Sequence, residues 1–320
     1  VMGIIKRLRI IGTMLIVISL WMGSWQEASA AGDPCTAVKA GTKVIWGKEV
    51  LNPYQVARLT FLKKTSLYKL DGSKKITIRT ASAGEQLPVY AIQSTQIDLG
   101  NGLFVKSDKN VKLEKASSRL RQLATCVHEK NLDKAAGQMI VVKALTGDKT
   151  KATVQRYEKK KGKWVKVSTP MQAIVGKKGV GKTKEGDSLT PKGTYLIGTS
   201  FGWGTKPAGV GYPFRTATKY DYWVDYSQSK DYNKWVNYTG SPQRKWKSYE
   251  RLTHPLYKYA VEIRYNDAPV ISGAGSAIFL HIKKKTTRYT LGCVAISEKD
   301  LVNVMKWLNP KTKPIIKIEG

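Results

Sequence analysis

The sequence predicts a mainly β protein in two parts. A small β-barrel module occupies about residues 35–130, and a larger β domain over 138–320 ends in a helix. Three observations predict this. Short apolar runs broken by Asp-Gly and Gly-Asn-Gly turns recur through the first part. A meander of strand-like runs opens the second part. A continuous apolar stripe of helical spacing stands out near the C-terminus.

The first thirty residues read as a secretory signal peptide. Lys6, Arg7 and Arg9 form a basic start, Ile10 to Gly23 is apolar and uncharged, and Ala28-Ser29-Ala30 offers a small-residue cleavage site. The apolar run is short for a membrane span, which needs about 20 residues. The reading expects a mature chain starting near Ala31 outside the cytoplasm, with no stable span after cleavage. Cys35 lacks the leucine-led box of a lipoprotein.

In the first part, Val56 to Leu62 alternates partly, and Leu67 to Leu70 leads into the turn pair Asp71-Gly72. Ile76 to Arg79, Leu87 to Ile92 and Leu103 to Lys106 follow. About five short strands in so short a stretch predict a small barrel. The strand spacing resembles bacterial SH3-like wall-binding modules. Ala116 to Glu129 reads as a short helix and connector, with His128 on its surface.

The second part opens with Gln138 to Ala144, Ala152 to Glu158 and Lys163 to Val167. Glycines 176, 179, 181, 186 and 193 follow. Gly181-Lys182-Thr183 does not make a phosphate loop, because no helix can start at Lys-Glu-Gly-Asp. Residues 200–260 are rich in Trp and Tyr with little alternation, which predicts long loops over a sheet. These aromatics either line a groove or staple loops without a core of their own. Trp223, Tyr232 and Tyr265, with His254, are the groove candidates. Ser276 to Lys283 is a strand with Ile278, Leu280 and Ile282 on one face and Phe279 and His281 on the other. Ser297 to Asp300 opens a helix, Leu301, Val304, Met305 and Leu308 stripe it, and Pro310 stops it.

Charge bounds the partners. The chain carries 55 Lys and Arg against 23 Asp and Glu, a net charge of +32. Such a chain is drawn to polyanions. An exported protein rarely meets nucleic acid, so the anionic polymers of a bacterial envelope are the expected partners. The lysine runs are scattered (63–64, 74–75, 159–161, 177–178, 283–285), as on solvated turns.

There are three cysteines. Cys35 and Cys126 can pair in an oxidising compartment, closing a loop of about 91 residues, worth roughly 4–5 kcal/mol in the chain-entropy model. That leaves Cys293 as a candidate reactive thiol. A thiol of pKa near 8.5 needs activation. The helix starts about four residues later, beyond the reach of its dipole. Histidine is the better activator. His281 lies twelve residues earlier, where a strand, a lysine-rich loop and a return strand place it beside Cys293; His254 is the second choice. Amides around Gly292 and Cys293 can form an oxyanion hole. Three scattered histidines and no cysteine pair at ligand spacing argue against zinc.

The run Ser276 to His281 followed by Thr290-Leu-Gly-Cys-Val-Ala-Ile-Ser297 resembles the signature of the L,D-transpeptidase family with its YkuD-type catalytic domain. Gly186 to Tyr195, with Thr190-Pro-Lys-Gly193, resembles the family's Thr-Pro-x-Gly strand entry, and Val224 to Asn233, Glu250-Arg251 and Tyr259 to Asn266 resemble a divergent branch of it. The resemblance covers about 138–320. It implies a β-sandwich-type catalytic domain that acts on bacterial peptidoglycan without a cofactor. It assigns Cys293 as nucleophile, His281 as base and Gly292 to the oxyanion region. The family's second histidine, two before the cysteine, is Leu291 here, and its polar residue two after is Ala295. Both changes bear on acceptor binding. The implied reaction is L,D-transpeptidation of stem tetrapeptides, with L,D-carboxypeptidase activity as the alternative outcome. Two enzyme rivals fit less well. Sortases need an arginine after the cysteine, and none follows Arg288. Papain-like peptidases place histidine after cysteine, whereas every histidine here precedes Cys293. The non-enzymatic rival is a cationic wall-binding protein whose Cys293 is buried and inert.

Overall fold

Alternation organises the first β region of the computed structural model, which describes residues 33–320. The signal-peptide reading lies outside the described residues. Ala57, Leu59 and Phe61 are buried, with Arg58 and Thr60 half-buried between them. Their strand, Ala57–Phe61, pairs with Gln86–Val89 and Val111–Lys115. A five-stranded sheet packs with it, and Leu67, Ala81, Val89, Ile97 and Val105 complete one shared core. The hairpin at Asp71 turns through Gly72 at φ +66°, a conformation glycine adopts without strain.

Helix α1, Ser118–Ala135, runs six residues beyond the expected end at Glu129. No Gly or Pro interrupts it before Gly137. Ser117 caps it through the Leu120 N–H. His128 is half-buried rather than on the surface, its ring 5.8 Å from that of Tyr54. Cys126 on this helix is bridged to Cys35. The bridge ties the N-terminal segment to the helix, where Val38, Val44 and Leu51 pack on Leu123 and Val127.

The second β region is a closed ladder. Its closed path uses β1 Gln138–Ala144, β2 Lys151–Lys160, β3 Met171–Ile174, β4 Gly193–Gly202, β5 Ala260–Ile263, β6 Phe279–Ile282, β7 Val294–Ile296 and β8 Ile315–Glu319, with Lys163–Lys166 added beside β2 and Phe214–Thr216 beside β4. The hydrogen-bonded order is β1-β8-β4-β5-β6-β7-β3-β2, and β2 pairs back onto β1. All these strands belong to one continuous hydrogen-bonded sheet. Both edges of β1 are occupied, antiparallel by β2 and parallel by the C-terminal β8, so β1 itself has no open edge. Ile140, Val142, Val154, Leu280, Val294 and Ile316 are among the side chains that fill the interior.

Helix α2, Glu298–Trp307, packs on this core through fully buried Leu301, Val304 and Met305. Ser297 caps it, accepting from the Asp300 N–H at 3.1 Å. The aromatic stretch leaves the ladder between β4 and β5. It forms a small sheet of its own from Asp221–Val224, Lys234–Asn237 and Glu250–Arg251. All four residues of Asp221–Val224 are buried, so no alternation marked them as a strand. Tyr222, Val224 and Trp246 are a local core, the stapling role for these aromatics.

Candidate active site

β6 sets the site by alternation. Leu280 and Ile282, with Ile278, face the ladder interior. Phe279 lies on the other side, packed with Tyr257 and Cys293. β7 runs parallel to β6, with Leu280 opposite Val294 and His281 opposite Ala295. The return strand expected after the lysine-rich loop is therefore not an antiparallel hairpin partner. The loop first carries the chain back along β6, so Cys293 enters β7 level with Phe279.

The Cys293 sulfur is held by two backbone groups. Its thiol donates to the Ala277 carbonyl at 3.2 Å, and the Phe279 N–H donates to Sγ at 3.4 Å. Ala277 adopts φ +54°, unusual for a residue with a side chain. The Cys293 carbonyl accepts from Thr290 Oγ1 at 2.6 Å and Thr190 Oγ1 at 3.2 Å. Thr190 opens the Thr-Pro-x-Gly stretch, so that motif anchors the backbone of Cys293. Gly292 sits at φ +154°, where a Cβ would lie 3.1 Å from Ile278 and 3.3 Å from the Leu189 carbonyl. Its N–H already donates to Thr290 Oγ1, which leaves the Cys293 amide as the other nominated oxyanion donor.

His281 is 3% exposed and Cys293 8%. The His281 Nδ1 lies 3.0 Å from the Ile282 carbonyl, which can only accept. Nδ1 therefore carries the proton and Nε2 is the basic nitrogen. Burial pushes the imidazole down to about 4, so it is neutral at pH 7. Burial also pushes the Cys293 thiol well above its ordinary value, with Glu250 adding to the rise. The resting pair is thus thiol and neutral imidazole. Tyr257 packs edge-on against His281 at 5.6 Å and donates to Glu250.

A cavity of about 680 Å³ opens over these groups. Cys293, His281, Gly292 and His254 all line it. Three groove candidates do not. Trp223 donates to Asn233 Oδ1 at 2.9 Å and packs behind Phe279. Tyr232 is buried, donating to Glu185 at 2.6 Å and accepting from the Gly275 N–H. Tyr265 lines a separate 420 Å³ cavity beside α1 and donates to the Ala274 carbonyl. Each has a local partner for its polar hydrogen, which composition does not reveal.

Sequence reasoning missed Glu185 and Tyr257, which also line the cavity, and treated Asp225 and Glu250 only as parts of motifs. Their signal was scarcity, since carboxylates are a minority in this chain. Lys182 was missed as well. It donates to Asp187 at 2.8 Å, with 2% and 6% of the two side chains exposed. Burial opposes the Asp187 charge, but Lys182 and the Thr183, Lys184 and Leu189 amides outweigh it and hold the carboxyl at about 2. A depressed folded pKa stabilises above the usual value of 3.8 and loses that contribution as pH falls through about 2. Asp187→Asn is expected to cost about 2 kcal/mol at pH 7. Urea unfolding at pH 7 and pH 2.5 checks this, and the difference should shrink at the lower pH.

A sequence model of the L,D-transpeptidase catalytic domain (YkuD) matches residues 142–316. The chain belongs to this family. The match runs from inside β1 to inside β8, spans more than half the chain and includes His281 and Cys293. No curated protein and no solved structure matches it. Membership in the YkuD family supports a transpeptidase-type enzyme with peptidoglycan as the class of substrate. Among the described residues, no helix is long and apolar enough to cross a membrane. Leu291, in place of the family's second histidine, is 72% exposed at the cavity mouth.

Proposed function

We infer that the protein is an exported L,D-transpeptidase of the bacterial cell wall that acts on peptidoglycan stem tetrapeptides. The observation that supports this best is Cys293 and His281 lining one cavity on neighbouring strands, with the basic His281 nitrogen unprotonated at neutral pH. His281 takes the thiol proton as Cys293 Sγ attacks the carbonyl of the stem's diamino acid. The Cys293 amide stabilises the oxyanion. The proton passes to the leaving D-alanine amine as the C–N bond breaks, and a thioester remains. An amine of a second stem displaces the thiolate and forms a cross-link. Water would instead give L,D-carboxypeptidase activity, and the apolar Leu291 at the mouth bears on that choice. No cofactor takes part in this scheme.

The burial of Cys293 favours one rival, a non-catalytic wall-binding protein. Mass spectrometry of products from a disaccharide-tetrapeptide separates the readings. A dimer short of one D-alanine supports the transpeptidase, and a tripeptide supports the carboxypeptidase. Absence of any Cys293-dependent product sinks both enzymatic readings.

The region 35–130 is proposed as an SH3-like module that tethers the enzyme to anionic wall polymers. Its strand Lys74–Ala81 carries exposed Lys74, Lys75 and Arg79. Reversing Lys74 and Lys75 to Glu is expected to weaken sedimentation with purified cell wall, most at low salt. Unchanged sedimentation would count against the tether.

A further inference from the structure

The cavity over Cys293 has an acidic wall in a strongly basic protein. Glu185, Asp225 and Glu250 all line it. Among the described residues, none of the three is ion-paired. The nearby cations are committed elsewhere. Lys182 pairs with Asp187, and Arg251 donates to the Tyr222 hydroxyl and lies over the Tyr222 and Tyr249 rings. The carboxylates are held without being neutralised. Glu185 Oε2 accepts from Tyr232 and Ser276, and Glu250 Oε2 from Tyr257. In both cases the other oxygen has no such donor. Asp225 Oδ1 is buried with no hydrogen-bond partner at all.

A buried carboxylate oxygen without a partner is costly, and three uncompensated acids on one wall repel each other. Burial raises Glu250 to about 7, and the charges of Asp225 and Glu185 add to that rise. Burial, with the Glu185 charge, also raises Asp225. A ligand cation would relieve all three. No group of three or more Asp, Glu, His or Cys among the described residues is placed to hold a metal ion, which points to an organic cation.

We propose that Glu185, Asp225 and Glu250 form a recognition site for a primary ammonium group, namely the free side-chain amine of a stem-peptide diamino acid. This rests on the peptidoglycan reading above. The ammonium belongs to the donor stem before acylation or to the acceptor stem after it. For an acceptor, a neighbouring carboxylate also takes the proton that the amine must lose before it attacks the thioester.

The test is calorimetric titration of the Cys293→Ala protein, which binds without turnover. The probes are a disaccharide-tetrapeptide with its side-chain amine free, and the same compound N-acetylated. The free amine is expected to bind about tenfold or more tightly, and Asp225→Asn to reduce that preference to about twofold. Equal affinity for the two probes overturns the proposal. So does an undiminished preference in a folded Asp225→Asn protein, or no binding of either probe. If Asp225→Asn does not fold, the comparison of probes on the Cys293→Ala protein still decides.

Turnover with Cys293 intact places the ammonium. Parallel losses of hydrolysis and cross-linking in Asp225→Asn assign it to the donor, and loss of cross-linking alone to the acceptor. If the wild-type protein makes no product yet the free-amine preference holds, the ammonium site stands and the proposed reaction fails.

Discussion

Cys293→Ala is expected to abolish product from a tetrapeptide stem, a loss of about 10³-fold or more in kcat. The fold should survive the change. The sulfur's partners are the Ala277 carbonyl and the Phe279 N–H, so removing it costs about 1–2 kcal/mol. The thermal transition should shift by only a few degrees. Thiol labelling gives a second readout. Burial and the raised thiol pKa predict that iodoacetamide reacts more slowly with the native protein than with a free thiol at pH 7. The rate should climb with pH and vanish in the alanine variant. Slow labelling alone does not distinguish a resting enzyme from an inert fold, because both bury Cys293. Product formation does.

His281→Gln is expected to lower kcat by about 10²–10⁴ with a smaller change in KM. Glutamine keeps much of the volume between Tyr257 and the strand but cannot accept the thiol proton. The pH profile carries the sign. A base must be unprotonated, and burial holds His281 at about 4. Activity limited by this base should fall on the acid side near pH 4, well below the 6.5 of an ordinary histidine. Glu250 titrates near 7 and can add a second limb, which Glu250→Gln would remove. An acid limb near 6.5 that persists in Glu250→Gln would move the base role to another group, His254 first.

Much of the local structure was legible in the residues. A β-rich apolar run placed Gln138–Ala144, and the two-residue period of an extended chain put Leu280 and His281 on opposite faces. Ser297, the Leu301 to Leu308 stripe and Pro310 marked α2. Asp221–Val224 was not legible as a strand, since a strand buried on both faces carries no alternation. The end of α1 was placed too early because nothing local stops a helix at Glu129.

The site divides in the same way. Cys293 and His281 could be nominated along the chain because cysteine and histidine are rare here, and Gly292 because it adjoins Cys293. Local patterns could not say that β7 returns parallel to β6, that Thr190 grips the Cys293 carbonyl across more than a hundred residues, or that β1 closes the ladder. Nor could they separate His254 at the cavity from Trp223, Tyr232 and Tyr265, which are satisfied elsewhere. Those outcomes depend on hydrogen-bond and packing partners from segments far apart in the chain. Such pairings are settled only when the whole core condenses. Glu185, Asp225 and Glu250 are the clearest case: three ordinary acids along the chain that become one unneutralised wall only in the folded protein.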